Sequence, residues 1–105
     1  MLIGVMLETI DPQKAFDCFR FGNAALANGH KVEVFLIGDG VKFEDIESDT
    51  YDVFGQAAEF TAQGGRIIAC GKCLQRHGVT CELAPLSNMK DFLDLISRAD
   101  KMLTF

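Results

Sequence analysis

The sequence predicts an α/β protein in which short buried strands alternate with amphipathic helices. Short apolar runs and amphipathic segments follow one another along the chain, which is the pattern of βα units on a parallel sheet. The apolar runs are nearly continuous rather than alternating, as expected for strands that are covered on both faces. The length of 105 residues supports one hydrophobic core, so we expect a single domain over residues 1–105.

The first third of the chain predicts two strands with a helix between them. Leu2–Leu7 is a near-continuous apolar run and forms the first predicted strand. Asp11-Pro12 predicts the start of a helix, with Asp as the N-cap and Pro at the first helical position. Asn28-Gly29 predicts the end of that helix. The second predicted strand is Lys31–Ile37.

The middle of the chain predicts an acidic loop, a helix and a third strand. We expect Asp39–Asp52 to be an exposed loop, because it holds six acidic residues and a single Lys. The following helix runs from about Asp52 to Gln63, and the third strand is Arg66–Cys70. The predicted inner face of this helix is formed by Val53, Phe54, Ala57, Ala58 and Thr61.

The last third predicts a short helix, a short extended segment, a longer helix and a final strand. Lys72–His77 is the short helix, which Gly78 ends, and Thr80–Ala84 is the extended segment. Ser87-Asn88 caps the last helix, and Lys101–Phe105 forms the final strand. The predicted inner face of the last helix is formed by Met89, Phe92, Leu93, Ile96 and Ala99.

Charge and hydropathy narrow the range of functions that this chain can have. The net charge of −5 argues against non-specific binding to nucleic acid or to an anionic membrane, which requires a basic surface. The acidic segment 39–52 is either a solvated loop or a docking surface for a basic partner. The opening residues lack the basic region of a signal peptide, and no apolar run is long enough to cross a bilayer. We therefore expect a cytoplasmic protein with reduced thiols.

The four cysteines carry the functional signal. Cys70 lies where a predicted strand gives way to a helix, which is the edge of a parallel sheet where ligands bind. A thiol at a helix N-terminus faces unpaired N–H groups that favour the thiolate. The segment between Phe60 and Cys81 contains no acidic residue but three basic ones, Arg66, Lys72 and Arg76. Cys70 is therefore a candidate nucleophile, although a buried packing role is the simpler alternative.

Cys73 forms a Cys-x-x-Cys motif with Cys70, and three chemistries fit the pair. The first is a thioredoxin-like redox dithiol. The second is a zinc site, since Cys70, Cys73, His77 and Cys81 have the spacing of four metal ligands. The third is a sulfur carrier, in which one thiolate accepts a sulfane sulfur and Cys73 has an auxiliary role. Cys81, when not a ligand, is expected to be a packing residue like Cys18.

Four neighbouring residues are candidates for supporting roles. Gly71 permits a tight turn beside the thiol, while Lys72 and Arg76 lower its pKa and attract an anionic donor. His77 lies on the helical face of Cys73 and is a candidate proton shuttle. Solvent exposure explains Lys72 and Arg76 equally well, and an interaction with the helix dipole explains His77.

The segment from Gly65 to Val79, GRIIACGKCLQRHGV, resembles the DsrE/DsrF-like family, which includes TusD-type sulfur-relay subunits and small YchN-like proteins. The likeness extends to the opening strand, the second strand with its Gly-Asp-Gly turn, and the closing segment Ser87–Phe105. It implies a three-layer α/β/α fold and the handling of sulfane sulfur as a persulfide on Cys70. Cys73 matches a second cysteine found in the smaller members.

Partners are also implied by the resemblance. Members of the family assemble into trimers or hexamers and exchange sulfur with donor and acceptor proteins. A positive mean hydropathy and nine Phe residues independently favour self-association. Neither the residues nor the resemblance calls for a cofactor. The alternatives to a sulfur carrier are a non-catalytic oligomeric binding module, with or without a metal on Cys70, Cys73, His77 and Cys81, and a redox dithiol.

Overall fold

A computed structural model describes residues 1–105 as a five-stranded sheet with helices on both faces. The strands are β1 (Leu2–Leu7), β2 (Lys31–Leu36), β3 (Arg66–Cys70), β4 (Leu86–Ser87) and β5 (Lys101–Thr104). The helices are α1 (Pro12–Ala27), α2 (Val53–Ala62), α3 (Gly71–His77) and α4 (Met89–Arg98), and a 3-10 helix spans Gly38–Asp45. The strand order is β4-β3-β2-β1-β5, and every neighbouring pair is parallel. The predicted α/β fold with a mainly parallel sheet is confirmed.

Two neighbouring residues of β1 show that helices cover both faces of the sheet. Ile3 lies beside Phe21 of α1, and α1 packs against α2. A Cβ placed on Gly4 would contact Leu95 of α4. Because successive residues of a strand point to opposite faces, α1 and α2 cover one face and α4 covers the other. This is the three-layer arrangement that the family resemblance implies.

The core is one contiguous cluster of 24 buried apolar residues. Its aromatic centre is Phe19 of α1, whose ring lies 5.1 Å from that of Phe43 and 5.8 Å from that of Phe60 between centroids. Gly22 allows the Phe60 ring to lie against α1, because a Cβ there would overlap the ring. None of the helices is both long enough and apolar enough to cross a membrane.

The predicted N-caps of α1 and α4 are confirmed, and Asp52 caps α2 in the same way. The side-chain oxygens of Asp11, Asp52 and Asn88 each accept a hydrogen bond, at 2.9–3.0 Å, from the N–H three residues further along. These residues therefore begin α1, α2 and α4. Gly78 ends α3 in the left-handed conformation, with φ of +64°.

The acidic segment 39–52 is not an exposed loop throughout, so that prediction is wrong for its first half. Residues up to Asp45 belong to the 3-10 helix, in which Val41 and Phe43 are buried. The reason is packing, because the Phe43 ring completes the aromatic cluster around Phe19. The acidic side chains of the segment still face solvent or lie near it.

The extended segment predicted at Thr80–Ala84 is wrong, since the strand forms at Leu86–Ser87 instead. The N–H groups of Glu82 and Leu83 donate to the carboxylate of Glu44, each at 2.8 Å. Because the 3-10 helix takes these donors, Glu82 and Leu83 do not pair with β3. Pairing begins at Pro85, whose carbonyl oxygen accepts a hydrogen bond of 3.1 Å from the N–H of Ala69.

The predicted inner faces of two helices are partly wrong. In α4, Met89, Leu93 and Ile96 are exposed, and the buried residue is Leu95, with Phe92 and Ala99 half-buried beside it. The apolar arc of α4 is wider than the strip that the sheet covers, so one apolar edge remains in solvent. In α2, Phe54 is exposed, whereas Val53 and Ala57 are buried as predicted.

Candidate functional site: a thiol pair at the sheet edge

Cys70 is the last residue of β3 and the N-cap of α3. It lies at the carboxyl edge of the parallel sheet, in register with Ser87 of β4. Its backbone is extended, with φ of −60° and ψ of 115°, and the chain turns into the helix directly after it. The apolar residues of β3 bury the strand within the sheet. Because Cys70 is the last residue of β3, its thiol lies at the edge where α/β proteins bind ligands.

A cavity of about 390 Å³ opens beside the thiol. It is lined by Cys70, Lys72, Cys73, Arg76, Ser87, Asn88 and Met89. The only charged lining residues are the two cations, and Cys70 itself is 3 % exposed. A reactant therefore reaches the sulfur only through this cavity, in an electropositive surrounding.

Cys73 lies at the third position of α3, where its Sγ accepts a hydrogen bond of 3.4 Å from the N–H of Gly38. Cys73 and Cys70 line the same cavity. Both cysteines are free thiols. The 3-10 helix and α3 thus hold the second thiol beside the first.

The two thiols have pKa values shifted in opposite directions. Burial raises the pKa of Cys70, but hydrogen bonds from the Cys73 thiol and from the backbone N–H groups of Cys73 and Lys72, together with the Arg76 charge, outweigh it. The net effect lowers the Cys70 pKa. Burial raises the pKa of Cys73, and the neighbouring Cys70 raises it further. Cys70 is therefore the thiol that ionises first.

The remaining supporting candidates fall into two groups. Lys72 and Arg76 are exposed and lie at the cavity. Gly71 begins α3, and a Cβ there would lie 3.3 Å from the Ser87 carbonyl oxygen, so a larger residue would press on β4. His77 does not line the cavity; its Nε2 lies 3.8 Å from Asp39 Oδ1.

The four residues with metal-ligand spacing are not grouped as a metal site. No set of three or more His, Cys, Asp or Glu side chains is arranged to hold an ion. Cys81 Sγ donates instead to the Val41 carbonyl oxygen at 3.2 Å, and His77 pairs with Asp39. Cys18 is fully buried in the core, as expected of a packing residue.

Three cavity residues, Ser87, Asn88 and Met89, were missed by sequence reasoning. The sequence predicts Asn88 only as a helix cap, a role that it does fill. The available signal was topological, since any strand parallel to β3 brings its own carboxyl end, and the helix after it, next to Cys70. The misplaced strand at Thr80–Ala84 hid this signal.

Known proteins share this chain's sequence pattern and its fold. The model of the DsrE/DsrF-like family matches residues 1–105. The uncharacterised protein MK0008 of Methanopyrus kandleri is 28% identical over 103 residues, which cover 89% of this chain and 83% of that protein. The uncharacterised protein MJ0989 of Methanocaldococcus jannaschii is 27% identical over 100 residues, covering 89% of this chain and 88% of its own.

Two solved structures share the fold at low sequence identity. Protein BT1422 from Bacteroides thetaiotaomicron, of unknown function, superposes with a TM-score of 0.80 at 18% identity, covering 99% of this chain and 94% of its own. Protein MTH1491 from Methanobacterium thermoautotrophicum, also of unknown function, superposes with a TM-score of 0.76 at 16% identity, with 97% of each chain covered. Because the family model spans every residue, this chain belongs to the DsrE/DsrF-like family.

Proposed function

We propose that this protein is a sulfur carrier of the DsrE type, which accepts sulfane sulfur on Cys70 and passes it to an acceptor thiol. The observation that carries the proposal is the Cys70 thiol, which faces a cavity whose charged lining residues are both cations. Family membership supports the same chemistry. Lys72 and Arg76 are the electrostatic support, and Cys73 is the auxiliary thiol.

The loading step is a thiol exchange on a persulfide. The Cys70 thiolate attacks the outer sulfur of a donor R–S–SH, and the S–S bond of the donor breaks. The donor leaves as R–S⁻ and takes up a proton, while Cys70 becomes the persulfide. The positive charges of Lys72 and Arg76 attract an anionic donor and stabilise the persulfide anion. Unloading to an acceptor thiol is the same exchange in the reverse sense.

The depth of Cys70 restricts its partners. A thiol that is 3 % exposed is out of reach of a flat protein surface. The donor and the acceptor are therefore small persulfides or partner proteins that insert a single cysteine side chain into the cavity. The free thiols suit the reducing cytoplasm, which we propose as the compartment. The net charge of −5 argues against nucleic acid or anionic lipid as a partner.

Intact mass after exposure to cysteine persulfide tests the carrier proposal. We expect one added sulfur per chain, which disappears in Cys70→Ser and is retained in the matched controls Cys18→Ser and Cys81→Ser. Since Cys73 can remove this sulfur, the measurement is repeated in a Cys73→Ser background. No added sulfur in that background, with the fold intact, would overturn the proposal.

A redox dithiol is the second candidate, and the Cys-x-x-Cys spacing of Cys70 and Cys73, with both residues lining one cavity, favours it. Such a protein would exchange disulfides with thiols and would take up no sulfur. The mass experiment separates the two, because a redox dithiol loses two hydrogens on oxidation and gains no sulfur atom.

The proposal includes self-association through the exposed apolar edge of α4. The edge consists of Met89, Leu93 and Ile96 of α4, and Leu86 of β4 precedes it; all four are exposed. The three helical residues are spaced four and three residues apart, which is the spacing of a helix-packing seam. Since a free apolar edge of this kind is usually buried between subunits, we propose a second copy of this chain as its occupant, within a trimer or hexamer. Met89 belongs to both the seam and the cavity, so a bound copy would narrow the cavity entrance.

A further inference from the structure

We propose that Cys73 is a resolving thiol, which discharges the Cys70 persulfide as sulfide when no acceptor enters the cavity. This inference rests on the proposed function, since it requires a persulfide on Cys70. The outer sulfur of the persulfide can then leave Cys70 by two routes, which are transfer to an acceptor thiol and release as sulfide by attack of Cys73.

The position of Cys73 suits an intramolecular attack. Cys70 is the N-cap of α3 and Cys73 is three residues further along, so helix geometry places their Cα atoms about 5 Å apart. That separation lies within the range that a disulfide spans. Both residues line the same cavity.

The surroundings of Cys73 differ from those of a packing cysteine in the same chain. Cys18 is fully buried, and burial alone sets its pKa. Cys73 Sγ instead accepts a hydrogen bond from the Gly38 N–H at 3.4 Å. This N–H belongs to a different element, the 3-10 helix, and stabilises a sulfur that carries negative charge.

The discharge step is balanced within the site. The Cys73 sulfur attacks the inner sulfur of the persulfide, and a bond forms between the sulfurs of Cys73 and Cys70. The bond to the outer sulfur breaks, and that sulfur leaves with the electron pair and takes the Cys73 proton. Cys70–S–SH and Cys73–SH thus give the Cys70–Cys73 disulfide and H₂S. The Cys73 sulfur is oxidised and the outer sulfur is reduced.

Return to the free thiols requires a dithiol reductant. Thiol–disulfide exchange with a reduced dithiol opens the Cys70–Cys73 bond and oxidises the reductant to its own disulfide. Without this reductant the site releases one sulfide and then stops. With it, the site releases sulfide repeatedly as long as a persulfide donor is present.

The experiment loads the protein with cysteine persulfide, removes excess donor by gel filtration, and follows sulfide and intact mass over time. In the wild type we expect about one sulfide per loaded chain, together with a loss of two hydrogens from the protein. In Cys73→Ser the added sulfur should persist and sulfide release should be lost. Cys81→Ser, the matched control, should behave like the wild type. Cys70→Ser gives the background level of sulfide release.

The outcomes separate this inference from the proposed function. Wild type that keeps its added sulfur as long as Cys73→Ser does, with no sulfide released, would overturn the resolving role and leave the carrier standing. Absence of added sulfur in Cys73→Ser would overturn both. Should Cys73→Ser unfold, the one-to-one appearance of sulfide and disulfide in the wild type still decides the question.

Discussion

Phe92 of α4 stacks on Phe35 of β2, with ring centroids 4.4 Å apart and planes inclined by 14°. Phe35 is fully buried in the sheet. This contact fixes α4 against the sheet, and because α4 begins at Met89, it also fixes the cavity wall that faces Cys70. The aromatic pair therefore connects the stability of the fold to the shape of the site.

Replacing Phe92 with Ala should lower the free energy of unfolding by about 3 kcal/mol, because it removes a stacked ring from the sheet face. Urea unfolding followed by circular dichroism measures the change. The matched control is Phe54→Ala, in which the ring lost is an exposed one, and its cost should stay below about 1 kcal/mol. Equal costs for the two substitutions would contradict this account of α4.

Alkylation should reveal Cys70 as the thiol that ionises first. The thiolate is the reacting form, so the rate with iodoacetamide rises with pH and reaches half its maximum at the thiol pKa. We expect this midpoint for Cys70 below the ordinary value of 9.0, because hydrogen bonds to the thiolate and the Arg76 charge outweigh burial. Arg76→Ala should move the midpoint upward, while Lys14→Ala, far from the site in sequence, should not. An unshifted midpoint in the wild type would contradict the assignment.

Stability should fall at alkaline pH because of Cys18. Burial raises the pKa of Cys18 from 9.0 to about 12, so the unfolded chain loses this proton first as the pH rises. The stabilising contribution is complete below pH 9 and is lost progressively up to pH 12. Between pH 8 and pH 10 the loss from this thiol is about 1.4 kcal/mol.

The comparison with Cys18→Ala isolates that effect. The variant should be less stable than the wild type at pH 8, and the difference between the two should narrow by about 1.4 kcal/mol at pH 10. Denaturant unfolding at the two pH values measures it. A difference that does not change with pH would show that Cys18 does not titrate as its burial requires.

The α4 seam should determine the oligomeric state. Leu93 is 63 % exposed at the centre of the seam, so Leu93→Lys should lower the mass measured by analytical ultracentrifugation to that of one chain. The control is Ile10→Lys, an exposed apolar position outside the seam, which should leave the mass unchanged. A wild type that sediments as a single chain would contradict the proposed interface.

Local features of the sequence were sufficient to predict much of this fold. β1 and β3 have their predicted bounds and β2 ends one residue early, because continuous apolar runs identify buried strands directly. The side-chain caps Asp11 and Asn88 begin their helices as predicted, since a cap depends on residues within one turn. The position of Cys70 at the sheet edge follows from the same local signals.

What could not be predicted depends on contacts between distant parts of the chain. The location of β4 depends on Glu44, which binds backbone donors 38 and 39 residues further along. The buried face of α4 depends on which part of a wide apolar arc meets Phe35. The positions of Ser87, Asn88 and Met89 follow from both contacts, so three of the seven residues that line the cavity could not be predicted from local pattern.

The Glu44 carboxylate has a consequence for how precisely the cavity wall is held. The connection between α3 and β4 comprises residues 78–85, and the N–H groups of Glu82 and Leu83 near its midpoint are anchored to Glu44. The anchored midpoint divides one flexible span into two shorter spans. Each shorter span loses less entropy when its ends are held than the full span would. One acidic residue of the 3-10 helix thus restricts the fluctuations of the segment that carries Ser87, and with them the width of the opening above the sulfur.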